Sequence, residues 1–359
     1  MDAITPNPLL GVGLHAVGAI FAASCYTPQK KVKGWSWQTY WITQASFCWF
    51  LLPIIGAYLT IPDLLAVLHE APTSAMRNSF LLGMAYGVGG TAFGIAIRYI
   101  GFSLTYAIAV GLSSVLGTLI PPLVHGTLGD TLHKTGASWV IAGIVVGTLG
   151  IAAAGWAGRM KENDLTAQNS RGEFNLTKGL LISLLAGVLS AVYGFALDAG
   201  APIADVAEAH GAGVFKGNVT YIFANTGAFV TTAFYCLYLH VRHKTIGELV
   251  ELPAGTEKGR LPVNFLMAAI TGLFWYGQFF FYNLGHVRMG PKFDFTSWAI
   301  HMTMLVMFSN LLGVILREWK QCRRLTHATI GLALVVLVVA VLLLTYGNYL
   351  GDLAAKASG

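Results

Sequence analysis

The sequence predicts an all-α polytopic membrane protein, with ten transmembrane helices in two inverted five-helix repeats. The first observation is composition: of 359 residues, 55% are apolar and 11% are charged, against roughly 25% charged residues in an average soluble protein. So few charges cannot cover a water-facing surface of ordinary size. The second observation is a series of long apolar runs, and the third is the placement of basic residues between them.

Ten stretches are long enough to cross a bilayer, which requires about 20 largely apolar residues in a helix. The runs are continuous and lack the strict alternation of barrel strands, so they predict helices. The ten predicted spans cover approximately residues 9–28, 39–62, 79–98, 101–124, 137–158, 178–198, 219–241, 263–286, 294–316 and 326–347.

Basic residues concentrate in the odd-numbered connections between these spans, which hold sixteen of the 22 Lys and Arg residues. Because positively charged loops are retained in the cytoplasm, we predict that these connections are cytoplasmic. Both termini are then predicted to lie outside the cytoplasm.

The basic stretch 159–177 divides the spans five and five. We therefore predict a first five-helix repeat over 1–158, a cytoplasmic connecting loop over 159–177 and a second five-helix repeat over 178–359. Since five is odd, two similar halves would have opposite orientations in the membrane, as in many secondary transporters. A short Arg- and Gly-containing motif precedes both the fourth and the ninth spans, which occupy equivalent positions in the two halves.

The function is expected to lie among the helices. The longest connections contain about 20 residues, too few to fold into a soluble catalytic domain. No clustered catalytic or metal-binding motif occurs, and the four cysteines form no CxxC pair. We therefore expect no enzyme activity, no metal, no cofactor and no nucleic-acid partner.

Polar and aromatic side chains recur at three- and four-residue steps along the eighth and ninth spans, forming one stripe on each helix. Sugar hydroxyls need donors and acceptors, which Gln and His supply, and the apolar faces of a sugar can rest on Trp or Tyr rings. With one histidine added from the first span, the stripes predict a pocket for a neutral, polyhydroxylated molecule. The predicted substrate-binding residues are His15, Trp275, Gln278, Tyr282, Trp298 and His301.

Structural roles remain alternatives for these residues. Trp and Tyr also form interfacial belts or simple packing contacts, and His15 can bond a neighbouring backbone carbonyl. Gln278 and His301 fit an interfacial belt poorly, because they lie deeper in their spans.

Three residues are candidates for proton coupling: Asp294, His15 and His301. Asp294 lies at the predicted non-cytoplasmic mouth, where a carboxylate that gains burial can load and release a proton. The alternative for Asp294 is an ordinary charge at a helix N-terminus. Histidine titrates near neutrality, which suits either imidazole to carry a proton.

Glycines recur at three- and four-residue steps in two spans, a pattern typical of tight helix packing in membranes. A smooth face for rocking motions is the alternative. The glycines are Gly83, Gly87, Gly90 and Gly94 in the third span and Gly143, Gly147 and Gly150 in the fifth.

The motifs of the eighth and ninth spans are specific enough to indicate a family. They are Trp275-Tyr276-x-Gln278-Phe279-Phe280-Phe281-Tyr282-x-x-Gly285-His286-x-Arg288 and Asp294-x-x-Ser297-Trp298-x-x-His301-Met302. Together they resemble the L-rhamnose–proton symporter family, part of the drug/metabolite transporter superfamily, and the similarity runs nearly end to end.

The resemblance implies ten helices in two inverted repeats, embedded in a bacterial inner membrane. It also implies uptake of L-rhamnose or a close 6-deoxyhexose, driven by a proton gradient. We expect this uptake to proceed by alternating access and without a bound cofactor. L-rhamnose, protons and membrane lipid are then the expected partners.

Two other transport functions are alternatives. A drug/metabolite-type exporter of small organic compounds would hold a cation with a carboxylate at mid-depth, and no predicted span carries one. A passive sugar facilitator is equally compatible with the sequence.

Overall fold

The computed structural model describes most of the chain, and within the described ranges the chain forms helices and no strand. The described residues are 6–124, 126–127, 129, 132–166, 175–289 and 296–357.

Ten helices in the described part of the chain are long and apolar enough to cross a membrane. This confirms the ten predicted spans and makes the chain a multi-pass membrane protein. In chain order the helices are α1 Pro8–Ser24, α2 Trp37–Thr60, α3 Thr73–Ile100, α4 Phe102–Val124, α5 Ala137–Thr166, α6 Leu176–Ala199, α7 Asn218–His243, α8 Arg260–Met289, α9 Thr296–Ile315 and α10 Arg324–Ala357.

The chain divides into two compact units. Unit 1 comprises Met1–Ala23, Gly89–Gly194 and Phe281–Gly359, and unit 2 comprises Ser24–Val88 and Phe195–Phe280. Each unit takes segments from both halves of the sequence, and the chain passes between units at α1, α3, α6 and α8. This division measures compactness rather than internal similarity, so the two predicted five-helix repeats stay a prediction.

In unit 1, α5 packs along α10 through the glycine face of α5. A methyl group on Gly143 would lie 2.7 Å from Leu344 Cγ, and one on Gly150 would lie 2.9 Å from Leu337 Cδ2. Because lipid supplies no hydrophobic driving force between helices, such close approach is what stabilises their association. The glycines of the fifth span therefore serve helix packing.

A carboxylate joins the end of α5 to the start of α10. Asp164 accepts hydrogen bonds from the Arg323 backbone N–H at 3.0 Å, the Arg323 Nε at 2.6 Å and the Thr326 hydroxyl at 2.6 Å. Each carboxylate oxygen thus has a charged or polar donor, which makes the burial of Asp164 tolerable.

In unit 2, α2 contains a wide helical turn over Ser46–Leu51, where the backbone is π-helical. Pro53 follows in the next segment, Leu52–Thr60. A proline has no N–H to donate and its ring crowds the carbonyl four residues earlier, here that of Trp49. Widening the preceding turn relieves this crowding, and such turns often mark functional sites.

Two short helices, Leu64–Glu70 and Ala201–Ala209, lie in segments that the sequence analysis treated as plain connections. They form because their apolar residues share one core: Val67 packs in a cluster with Ile203 and Ala207. The sequence pattern missed them because each is too short for a periodic signal.

The third-span glycines pack against α7 in the same unit. A methyl group on Gly83 would lie 2.8 Å from the carbonyl carbon of Ala224, and one on Gly87 would lie 2.6 Å from the Ala228 Cα. The packing interpretation is therefore confirmed for Gly83 and Gly87.

Gly83→Ala should destabilise the protein, because the added methyl group meets rigid backbone and forces α3 and α7 apart. Overpacking of this kind costs about 1–3 kcal/mol. The thermal midpoint of the purified protein in detergent, followed by loss of the monodisperse elution peak after heating, measures the effect. Gly331→Ala is the matched control, since a methyl group there meets nothing within 4 Å. Equal midpoints for the two variants would contradict the packing described.

Candidate functional site

Unit 1 contains a histidine cluster, formed by His15, Tyr282, His286, Trp298 and His301. Tyr282 is its centre: the ring centroid of Tyr282 lies 5.2 Å from that of His15, 5.3 Å from His301, 5.6 Å from Trp298 and 5.9 Å from His286. The His15 and His301 rings are themselves 5.8 Å apart, edge to face. Four predicted site residues are thus brought together from α1, α8 and α9.

Glycines on α1 and α8 allow His15 to lie directly against α8. A Cβ at Gly285 would meet the Gly11 carbonyl oxygen at 2.9 Å and the His15 Nδ1 at 3.0 Å. The Asn7 backbone N–H donates to the Arg288 carbonyl at 2.9 Å, which joins the start of α1 to the end of α8. A larger residue at position 285 would push the imidazole away from Tyr282.

The Trp298 indole is fixed by α4. Its Nε1 donates to the Ser113 carbonyl oxygen at 2.9 Å. A Cβ at position 117 would lie 2.5 Å from the same Nε1, so the absence of a side chain at Gly117 leaves room for the indole. Because this donor is already used within the protein, Trp298 can offer a ligand only its ring surface.

His15 and His301 are buried and His286 is half-buried, and each leaves a buried ring nitrogen unpaired among the described residues. His15 is 0% exposed and His301 is 2% exposed. Among the described residues, neither ring nitrogen of His15 has a hydrogen-bond partner. The Nδ1 atoms of His286 and His301 also lack a partner there. A buried polar atom without a partner costs about 1–3 kcal/mol. The cluster therefore has unused capacity to hold a proton, a water molecule or a ligand hydroxyl.

The arrangement is not that of a metal site. Within the described ranges, no group of three or more His, Cys, Asp or Glu residues is placed to hold a metal ion. The chemistry available in the cluster is instead hydrogen bonding and proton transfer by neutral and protonated imidazole.

The other two predicted binding residues belong to unit 2. Trp275 is buried and Gln278 is half-buried. Around Trp275 lies an indole cage, which we define as Tyr26, Trp41, Trp49 and Trp275. The Trp275 ring centroid lies 5.2 Å from that of Trp49, 5.6 Å from Tyr26 and 5.9 Å from Trp41.

Sequence reasoning missed the α2 members of this cage. On a straight α-helix, Trp41 and Trp49 would point about 80° apart. The wide turn over Ser46–Leu51 changes the number of residues per turn, and both indoles contact Trp275. Helical spacing cannot anticipate such a turn, although Pro53 downstream is a signal that could have suggested it.

Asp294, the predicted proton-coupling carboxylate, lies outside the described residues. Its role stays a prediction, as do the roles of His15 and His301 in coupling.

Comparison with known proteins identifies the family. The family model described as L-rhamnose-proton symport protein matches residues 4–349. The chain belongs to this family. The resemblance found in the eighth- and ninth-span motifs is thereby confirmed.

Individual relatives are similar over nearly their whole length. The chain is 33% identical over 332 residues to the L-rhamnose-proton symporter of Cronobacter sakazakii, covering 92% of this chain and 95% of the relative. It is 32% identical over 334 residues to the symporter of that name in Citrobacter koseri, covering 92% and 95%. The corresponding Yersinia pestis protein is 33% identical over 334 residues, covering 92% and 96%.

Proposed function

We propose that this protein takes up L-rhamnose, or a close 6-deoxyhexose, together with protons across a bacterial inner membrane by alternating access. The observation that carries the proposal is membership of the L-rhamnose-proton symport protein family over residues 4–349. The protein is then a transporter and not an enzyme. An exporter of cationic compounds is disfavoured, because the spans carry no Asp or Glu at mid-depth.

The sugar is held by hydrogen bonds from imidazole and amide groups and by contact with aromatic rings. In unit 1, His15 and His301 supply ring nitrogens with unused bonding capacity, and Tyr282 and Trp298 supply ring surface. The binding roles predicted for Trp275 and Gln278, which belong to unit 2, stay predictions. Neutral groups of this kind suit an uncharged polyhydroxylated substrate.

Proton coupling follows from the burial of the histidine pair. A protonated imidazole taken out of water needs an acceptor for its N–H groups, because an unpaired buried charge is costly. A sugar hydroxyl oxygen next to His15 or His301 supplies that acceptor. Proton and sugar therefore favour each other's binding, and this reciprocal free energy is what symport requires. Asp294 is the alternative carrier of the coupled proton.

The predicted inverted repeats remain part of the proposal. The chain passes from one compact unit to the other at α1 and α3 in its first half and at α6 and α8 in its second half. These are the first and third helices of each group of five, which supports an internal repeat. With sixteen basic residues in the odd-numbered connections, both termini are placed in the periplasm.

Replacing a coupling histidine should lower accumulation of the sugar more than its exchange. Proteoliposomes with an inward proton gradient and labelled L-rhamnose measure accumulation, and counterflow without a gradient measures exchange. We expect His15→Gln or His301→Gln to reduce accumulation by about tenfold, the size of a typical coupling free energy. His243→Gln, at an exposed histidine at the end of α7, is the matched control. If the Asp294 carboxylate carries the proton, Asp294→Asn should reduce accumulation in the same way.

Accumulation by both histidine variants at the level of the native protein would show that the proton is carried elsewhere. Uptake by the native protein that never exceeds equilibration, whatever the pH gradient, would identify a passive facilitator instead.

The proposed orientation predicts that the C-terminus lies in the periplasm. A fusion of alkaline phosphatase after Gly359 should be enzymatically active, because this reporter folds only where disulfides form. The same fusion placed in the basic connection after α7 should be inactive. The reverse pattern of activities would overturn the orientation.

A further inference from the structure

The indole cage of unit 2, and the part of α2 beside it, contain polar groups without partners among the described residues. Trp41 and Trp49 are 1% and 0% exposed, and neither Nε1 has a hydrogen-bond partner among the described residues. Gln44, one turn after Trp41 on α2, is also 0% exposed. Its Nε2 likewise finds no acceptor in the described part of the chain.

The Gln44 amide is oriented rather than loose. Its Oε1 accepts the thiol hydrogen of Cys48 at 3.6 Å. This contact leaves the Nε2 side of the amide as the available donor. Three buried N–H groups of α2, those of the Gln44 amide and of the Trp41 and Trp49 indoles, thus have no acceptor among the described residues.

Other buried amides of the same unit differ from Gln44. Gln38 Nε2 donates to the Thr245 hydroxyl at 2.8 Å, and Asn264 Nδ2 donates to the Lys33 carbonyl at 2.7 Å. Asn218 Nδ2 donates to the Thr60 hydroxyl at 3.0 Å. These three amides are satisfied within unit 2, whereas the Gln44 amide, a helical neighbour of Trp41, has an N–H that calls for a partner.

The backbones of α2 and α8 approach each other closely in this region. Gly272 on α8 approaches α2 so closely that a Cβ there would lie 3.0 Å from the Gln44 carbonyl oxygen and 3.1 Å from the Cys48 backbone nitrogen. Next to it, the Tyr40 and Thr271 hydroxyls are 2.6 Å apart. A preorganised site of this kind binds a ligand without first having to order its side chains.

The unpaired groups indicate the chemical properties of the ligand that they would bind. Donors without acceptors call for a ligand rich in oxygen acceptors. None of the cage side chains or Gln44 carries a charge, so the ligand is neutral. Indole faces favour a ligand that also has apolar C–H surface. A sugar combines all three properties.

We propose that the indole cage and Gln44 form a sugar-binding subsite, in which the Gln44 amide donates a hydrogen bond to one ring hydroxyl of the substrate while Trp41 and Trp49 flank it. This rests on the proposed function for the identity of the sugar. Gln44 is thereby a specificity-determining residue that distinguishes substrates by the presence of one hydroxyl.

The test pairs a side-chain change with a ligand change. Counterflow of labelled L-rhamnose in proteoliposomes is measured without a pH gradient, and the 2-, 3- and 4-deoxy derivatives of L-rhamnose are used as competitors. In the native protein, the derivative that lacks the hydroxyl bound by Gln44 should inhibit about fivefold less well than L-rhamnose, the effect of losing one neutral hydrogen bond.

Gln44→Leu should lower the affinity for L-rhamnose about fivefold. In this variant, the derivative that lacks the hydroxyl bound by Gln44 should inhibit as well as L-rhamnose does, because the substitution and the missing hydroxyl delete the same contact. Gln38→Leu is the matched control on the same helix, since its amide is already bonded to Thr245. It should lower thermal stability and keep the native ranking of derivatives. Trp49→Phe, which keeps a ring and removes one unpaired Nε1 donor, tests the cage itself: it should weaken the binding of L-rhamnose whether or not Gln44→Leu folds.

The outcomes are distinguishable. If the native protein does not exchange L-rhamnose, the proposed function fails. If it does, and Gln44→Leu and Trp49→Phe keep native affinity and the native ranking of deoxy derivatives, the subsite is overturned while the proposed function stands.

Discussion

The structure is governed by the absence of water inside a bilayer. A polar group buried among lipid-embedded helices must find its partner within the protein or in a ligand, because hydrocarbon offers none. Many such groups have a hydrogen-bond partner within the protein. The Trp298 indole donates to the Ser113 carbonyl, and the Tyr221 hydroxyl donates to the Phe279 carbonyl. Two places instead gather several groups without protein partners among the described residues, the histidine cluster of unit 1 and the indole cage of unit 2. Under this constraint, both clusters are candidates for binding a ligand, as proposed above.

Glycine makes this arrangement possible. Apolar helices gain little by leaving lipid for each other, so they associate where backbones can approach closely. Gly143 and Gly150 do this for the core of unit 1, and Gly83 and Gly87 for that of unit 2. The same device positions functional groups, since Gly285 accommodates His15 and Gly117 accommodates the Trp298 indole. Packing and site construction therefore use one structural principle.

Much of this could be predicted from the sequence. The ten spans follow from length and hydropathy, which the bilayer thickness constrains strongly. The grouping of His15 with Tyr282, Trp298 and His301 was expected from the cost of placing such residues in lipid. Other features could not be predicted. Which helix faces meet depends on close approaches such as Gly11 with Gly285, and the place of Trp49 depends on a wide turn that helical periodicity does not encode.

The most direct test of the account is whether the buried imidazoles meet the substrate. Nuclear magnetic resonance of the purified protein, labelled with nitrogen-15 in histidine and assigned with single His→Gln variants, reports the hydrogen bonding of each ring nitrogen. The account predicts that saturating L-rhamnose shifts the His15 and His301 signals and leaves that of the exposed His243 unchanged. Unchanged His15 and His301 signals, in protein that still exchanges L-rhamnose, would contradict it.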